Sequence, residues 1–182
     1  MAVAQRATDL LASEGIATAL IGALAAAAHG YSRATEDADL ATIAEPFTHL
    51  RTLVQALQRE GFNAELITPD ADDSLGGVVN ITGDDFDTVQ IVNFYNPFRA
   101  TRSPALEAIR SSLPDMIEGF TIRVVDLAHL IALKLYAGGP KNRNDVLELL
   151  DRNPTADREA LRLVCDRFGL AKDFDELAAG RG

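Results

Sequence analysis

Residues 21–40 read Ile21-Gly-Ala-Leu-Ala-Ala-Ala-Ala-His-Gly-Tyr-Ser-Arg-Ala-Thr-Glu-Asp-Ala-Asp-Leu40, and the order of residue types in this stretch decides the fold class. The apolar run Ala17–Ile21 just before Gly22 reads as a short buried strand, and Gly22 closes it. The alanine-rich run Ala23–Ala28 then suits a tightly packed helix that stops at His29-Gly30. Beyond it, Asp39–Ile43 carries apolar residues at Leu40 and Ile43 and reads as a second strand. Strand, glycine, helix, then acids on the next strand is an α/β arrangement.

Working outward, Val3–Ser13 places Ala7, Leu10 and Leu11 at helical spacing before Gly15. After Pro46, a first-turn residue, Leu50, Val54 and Leu57 continue a helical face to Gly61. Asn63–Ile67 is a strand, 69–77 a polar loop, and Val78–Ile81 with Thr88–Phe94 a hairpin turning at 83–85. Pro104–Ser112 reads as helix and Thr121–Val125 as strand. Asp126 opens a helix with apolar residues from Leu127 to Leu135, ended by Gly138-Gly139. Pro140–Leu150 and Ala156–Phe168 are two further helices, and the Ala-Gly-rich end is expected to fray. The expected fold class is α/β (α+β): a mixed β-sheet flanked by helices, with a helical C-terminal part. Residues 1–125 form the α/β core in this reading, and 126–182 pack on it as helices within one structural domain.

A chain of 182 residues with 47% hydrophobic content supports one such core. A single cysteine, Cys165, permits no intrachain disulfide, and no secretory leader pattern stands at the N-terminus, so a cytoplasmic location is expected. The apolar stretch 16–28 is too short to span a bilayer, so no membrane association is expected. A net charge of −10 argues against a dedicated DNA-binding surface, while leaving room for a local cationic pocket.

Asp37 and Asp39 are the residues with chemistry in them. Alternation along a strand turns both carboxylates to one face, where they can converge on Mg²⁺ or Mn²⁺. Such a pair in a surface loop means only solvation; its setting after Arg33 and Thr35 and across from the Gly22 turn gives it meaning. His29 reads as a cap or packing residue, His49 and His129 stand without partners at ligand spacing, and Cys165 reads as a core thiol. Tyr31, Tyr95 and Phe98 read as core aromatics or as the lining of a base cleft.

The chain resembles the nucleotidyltransferase superfamily, including the minimal nucleotidyltransferases and the AbiEii-type toxins of bacterial toxin–antitoxin systems. The resemblance is carried by Gly22-Ala23, by His29-Gly30, by Arg33-Ala-Thr-Glu-Asp37-Ala-Asp39, and by the helix-borne Lys134 followed by Lys141-Asn-Arg143-Asn-Asp145. It implies that a nucleoside triphosphate lies with its phosphates near Gly22 and Ala23 and that Asp37 and Asp39 hold the metal. It further implies that Lys134 reaches the triphosphate, with Arg33, Thr35, Arg143 and Asp145 around the nucleotide and an Arg143–Asp145 pair bracing the pocket; the alternatives are a solvent-facing Lys134 on an otherwise apolar helix and an Arg143 and Asp145 on a solvated helix face. The implied reaction is transfer of a nucleoside monophosphate to a protein or RNA hydroxyl, with a cognate toxin or antitoxin as one partner context.

Two positions depart from the pattern. Ala23 stands where the family has a second glycine or a serine, and Gln90 stands where it has a third carboxylate. Glutamine cannot take a proton from an attacking hydroxyl and balances metal charge poorly. Asp85 or Asp87 would substitute only through a register shift that turns side chains to the other face. A catalytically weakened protein of this fold, binding nucleotide or a partner without turnover, is the alternative that Gln90 raises.

Overall fold

The computed structural model of the chain describes residues 1–35, 37–84, 86–100 and 102–179. Helix α1 (Ala2–Ser13) buries Ala4, Ala7 and Leu11 and leads through Gly15 into β1 (Thr18–Leu20). Helix α2 (Gly22–Ala28) follows at once, and β2 (Asp37–Thr42) begins two residues earlier than its apolar content alone suggests. Parallel pairing with β5 (Phe86–Asn93) accounts for the longer strand: the register sets Asp37 opposite Thr88 and Asp39 opposite Gln90. Between them lie a wide helical turn at Pro46–Leu50, α3 (Arg51–Arg59), β3 (Asn63–Ile67) and β4 (Val78–Gly83).

The five strands stand in the order β1-β2-β5-β4-β3, with only the β2–β5 pair parallel. One face of this mixed sheet is apolar: Ala38, Leu40, Ala64, Val79, Ile81, Val89 and Ile91 are all buried in the main core. Helices α4 (Ala105–Arg110), α5 (Leu127–Ala137), α6 (Gly139–Arg152), α7 (Arg158–Arg167) and α8 (Ala171–Ala178) complete the chain. A contiguous cluster of buried side chains runs from Ala4 in α1 to Phe174 in α8, so the C-terminal helices share the core of the sheet. Burying that apolar surface, at roughly 25 cal/mol per Å², is the main driving force for the arrangement.

Two segments differ from the sequence expectations. Residues 121–125 make no strand; Val124 forms only isolated bridges, to Leu20 and to Leu113. With only three residues in β1, Leu20 is the one rung on that edge, donating to the Arg123 carbonyl at 2.8 Å and accepting from Val125 N–H at 3.1 Å. Residues 171–178, given no element by the sequence, form α8, because Phe174 inserts into the core and Arg162 holds Asp175 at 2.9 Å; the Ala-Gly-rich end expected to fray lies, from residue 180 on, outside the described residues. Among the described residues no helix is long and apolar enough to cross a membrane.

Candidate nucleotide and metal site

Gly22 sits at φ +68°, a left-handed conformation that glycine adopts without a Cβ penalty. A Cβ built there would lie 2.0 Å from Asp39 Oδ2 and 2.9 Å from its Cγ, so the turn lies directly against the second acid. The Ile21 amide donates to the Asp39 carbonyl at 2.8 Å and fixes the same approach through the main chain. Glycine is therefore required here to make room for Asp39, a reason the sequence did not supply.

Asp37 and Asp39 share the face of β2 opposite the core, since the intervening Ala38 is buried with the apolar side. The Asp39 carboxyl is raised above the usual carboxylate range, first by burial and then by the charge of Asp37; the cations of Lys134, Arg33 and Lys141 pull it the other way. A buried carboxylate beside a second one is a poor arrangement alone and a good one around a divalent cation, which would relieve both costs. Among the described residues no group of three or more His, Cys, Asp or Glu side chains could cage a metal. The donor set thus fits a hard ion that keeps waters and completes its shell with substrate phosphates, the habit of Mg²⁺. Thr35 steadies the start of β2, its hydroxyl accepting from the Asp37 amide at 3.3 Å.

Lys134, on α5, is buried to 6% side-chain exposure and donates to Asp145 Oδ2 at 2.6 Å. Arg33 reaches the same carboxylate from the other side, Nε to Oδ1 at 3.2 Å and Nη2 to Oδ2 at 3.3 Å. Two cations thus share one buried anion, leaving a net positive cluster whose field is felt at Asp39. The expected Arg143–Asp145 pair is not formed: Arg143 bonds Asp173 at 3.4 Å and Glu176 at 3.3 Å on α8. Residues two apart on a helix point to different sides, which both residues' places on α6 already implied.

Gln90 stands beside Asp39 in the parallel register and donates its amide to Asn80 Oδ1 at 3.1 Å. Asp85 and the side chain of Asp87, the two substitutes considered for the third carboxylate, lie outside the described residues. Asp37 lines two adjoining surface pockets. One, of about 340 Å³, is rimmed by Met1, Leu24, Thr35 and Phe86, and the other, of about 330 Å³, opens over Gln90 and Asn80. Ala23 is buried, its side chain packed inward at the start of α2.

The remaining residues hold structure. His29 donates from Nε2 to the Val125 carbonyl at 2.8 Å, and Asn153 donates to the His29 carbonyl at 2.9 Å, tying the end of α2 to the segment before α5 and to the cap of α6. His129 meets the Asp126 cap at 2.8 Å and Ser111 at 3.0 Å. Burial raises the Asp126 carboxyl, yet hydrogen bonds from His129 and Ser111 outweigh it and hold the group at about 2. Tyr31 packs against the core while Tyr95 and Phe98 are exposed, Phe98 meeting Phe47 edge-on with ring centroids 5.9 Å apart. Sequence reasoning missed Asn93 and Asn96, whose amides hold the 69–77 loop through the carbonyls of Gly76, Asp70, Asp73 and Leu75. Asn93 ends β5 behind Val92 and Asn96 follows Tyr95, and nothing in the pattern marks either as a loop clamp.

An α/β protein with an acid pair at the open face of a mixed sheet, abutted by a glycine turn, is the class that this fold and site define. Solved structures place it further. The chain is similar to the antibiotic-resistance factor ANT(2'')-Ia in complex with adenylyl-2''-tobramycin, with TM-score 0.57 and 16% identity over 92% of this chain and 95% of that one. The solution structure of ANT(2'')-Ia matches with TM-score 0.54 and 14% identity over 96% and 92%. An antigenic nucleotidyltransferase-like protein from Paracoccidioides brasiliensis matches with TM-score 0.53 and 15% identity over 99% and 91%. No protein-family model and no curated protein sequence matches the chain. The chain has the nucleotidyltransferase fold.

Proposed function

We propose that the protein is a metal-dependent nucleotidyltransferase that moves a nucleoside monophosphate from a nucleoside triphosphate to an acceptor hydroxyl. The observation that carries this reading is the contact between Gly22 and Asp39, which draws the acid pair, the glycine turn and the Lys134–Arg33 cations around one point. In the proposed step the acceptor oxygen bonds to the α-phosphorus, the bond to the bridging oxygen breaks and pyrophosphate leaves. The hydroxyl proton passes to solvent, because Gln90 cannot accept it. Mg²⁺, held by Asp37 and Asp39, would neutralise the charge on the phosphates and orient them. Lys134 and Arg33, with Gly22, Ala23 and Thr35, would receive the triphosphate, and Asp145 would keep the two cations in place. Residues 1–125 then supply the acid pair and the turn, and 126–182 the lysine and its carboxylate. The work in a bacterial cytoplasm, with a toxin–antitoxin partner, is the context that the motif resemblance suggests.

Gln90 favours a second reading, in which nucleotide is bound and not turned over. The two separate cleanly. Incubation with each labelled nucleoside triphosphate, Mg²⁺ and cell lysate should label a macromolecule or small molecule in the first case. In the second, nucleotide with Mg²⁺ raises the melting temperature and no pyrophosphate appears. Transfer retained by Asp37→Asn would rule out the site itself.

A further inference from the structure

Beyond the Thr42–Asn93 rung, where β2 and β5 end, the chain enters a turn that holds two aromatic side chains out of the core. Tyr95 is 44% exposed and Phe98 57% exposed. The turn is firmly held. Asn96, itself buried, takes the Phe98 amide on its Oδ1 at 2.8 Å, and its own amide holds the carbonyls of Asp70, Asp73 and Leu75 at 2.8, 3.0 and 3.0 Å. Phe47 supports Phe98 edge-on and carries Arg51 over its own ring at 5.1 Å from the centroid. Two surface pockets of about 290 and 310 Å³ adjoin through Phe94 and Tyr95 and so form one groove. Pro97 and Arg99 line its first half, and Ile43, Arg102, Leu106 and Phe168 its second. Leu106 is 42% exposed on α4, and Arg110 stands one turn further along the same helix face.

Charge distinguishes the two ends of the groove. At the Pro97 end, Arg99 donates to the Asp72 carbonyl at 3.3 Å and so lies beside the acidic loop Asp70–Asp73. At the other end Arg102 and Arg110 are exposed and make no hydrogen bond or ion pair among the described residues. Glu107, the acid that lines this end, is already held by Arg167 at 2.9 Å. We infer that the groove docks a short segment of another protein, with an apolar or aromatic side chain set beside Tyr95 and Phe98 and carboxylates on Arg102 and Arg110. Guanidinium groups take carboxylates through paired hydrogen bonds, and exposed aromatics with arginines at their rim are the usual anatomy of a protein interface. A single-stranded nucleic acid fits less well. A polyanion lying along the whole groove would bring phosphates against Asp70, Asp72 and Asp73, whereas a peptide can carry its charge at one end only. The groove opens at the end of β2 remote from Asp37, roughly 17 Å along the strand, so docking is independent of the nucleotidyl-transfer reading.

The test is fluorescence anisotropy of the full chain with a labelled short peptide that carries phenylalanine and leucine in its first half and aspartate and glutamate in its second. The peptide should bind saturably, and replacing its carboxylates by carboxamides should weaken it on the order of tenfold. Arg102→Gln combined with Arg110→Gln should weaken it by a similar factor, and Tyr95→Ala should weaken it on the order of fivefold or more. Arg99→Gln, at the acidic end, should change binding by less than about threefold. All four side chains are exposed, so the melting temperature of each variant should stay within about 2 °C of the parent. No saturable binding up to about 1 mM peptide, equal binding of the carboxamide peptide, or indifference to the Arg102 and Arg110 substitutions would overturn the assignment. Tighter binding of an oligoribonucleotide of the same length would overturn it in favour of a nucleic-acid surface.

Discussion

Replacing Gly22 with alanine should show whether the glycine turn is built around Asp39. The new methyl would lie 2.0 Å from Asp39 Oδ2, inside the distance at which side-chain carbons meet non-bonded atoms by about 1 Å. Two costs follow. Holding a Cβ-bearing residue at φ +68° costs about 1–2 kcal/mol, and crowding the carboxylate adds about 1–3 kcal/mol. At about 2–4 °C per kcal/mol for a chain of this size, the midpoint should fall by roughly 4–20 °C. The second cost falls when its partner goes: in an Asp39→Ala background the two nearest atoms, Oδ2 and Cγ, are gone and the β-carbon at position 39 stands 3.1 Å from the methyl. A double-mutant cycle by urea unfolding should therefore give a coupling of about 1–3 kcal/mol between the sites. The crowded carboxylate can relieve itself only by turning away, so Gly22→Ala should also lose the stabilisation that Mg²⁺ and nucleotide give the parent. Equal costs of Gly22→Ala in both backgrounds, within about 0.5 kcal/mol, would show that the turn is not shaped by Asp39.

Three further outcomes are expected. Asp145→Ala strands Lys134 and Arg33 together and should cost about 3–5 kcal/mol in urea unfolding, whereas Lys134→Met leaves Asp145 with Arg33 and should cost less; the opposite order would refute the shared-carboxylate reading. Gln90→Asp places a general base beside Asp39, so transfer, measured as pyrophosphate release, should rise by about 10²-fold or more and become less steep in pH; an unchanged rate would mean that Gln90 does not stand at the base position. The Asp126 carboxyl, held at about 2 against an ordinary 3.8, is depressed in the folded state, so its contribution is full above the ordinary value and is lost as pH falls towards about 2. Asp126→Asn keeps a capping side chain and should remove that segment of the stability profile between about pH 4 and pH 2; parallel profiles for parent and variant would refute it.

The fold was legible because its signals are local. Apolar spacing and glycine stops located α1, α2, β3, the β4–β5 hairpin and α5 to within a residue or two. The failures are non-local. Nothing in Thr121–Val125 reveals that β1 has one free rung to offer, and nothing in Ala171–Ala178 reveals that Phe174 has a core to enter. The early start of β2 is likewise decided by β5, about fifty residues downstream, which holds Asp37 in the ladder through Thr88.

At the site, Gln90 is placed by the family resemblance alone, and the parallel register that sets it beside Asp39 is a property of the assembled sheet. Periodicity two put Asp37 and Asp39 on one face, so that part could be read from strand geometry. Which carboxylate a cation chooses could not, because it depends on how α5 and α6 pack. Burial decides the choice: Asp145, at 2% side-chain exposure, is met by both Lys134 and Arg33, and Lys134 would be an isolated buried cation without it. Arg143, 39% exposed, has solvent and two surface carboxylates and gains little by leaving them. The same logic explains why the polar face escaped notice. Asn63, Glu65, Asn80, Thr82 and Thr88 are unremarkable outward residues of separate strands, and only the order β2-β5-β4-β3 brings them into rows that begin at the acid pair. A surface assembled by strand order has no signature in any one segment.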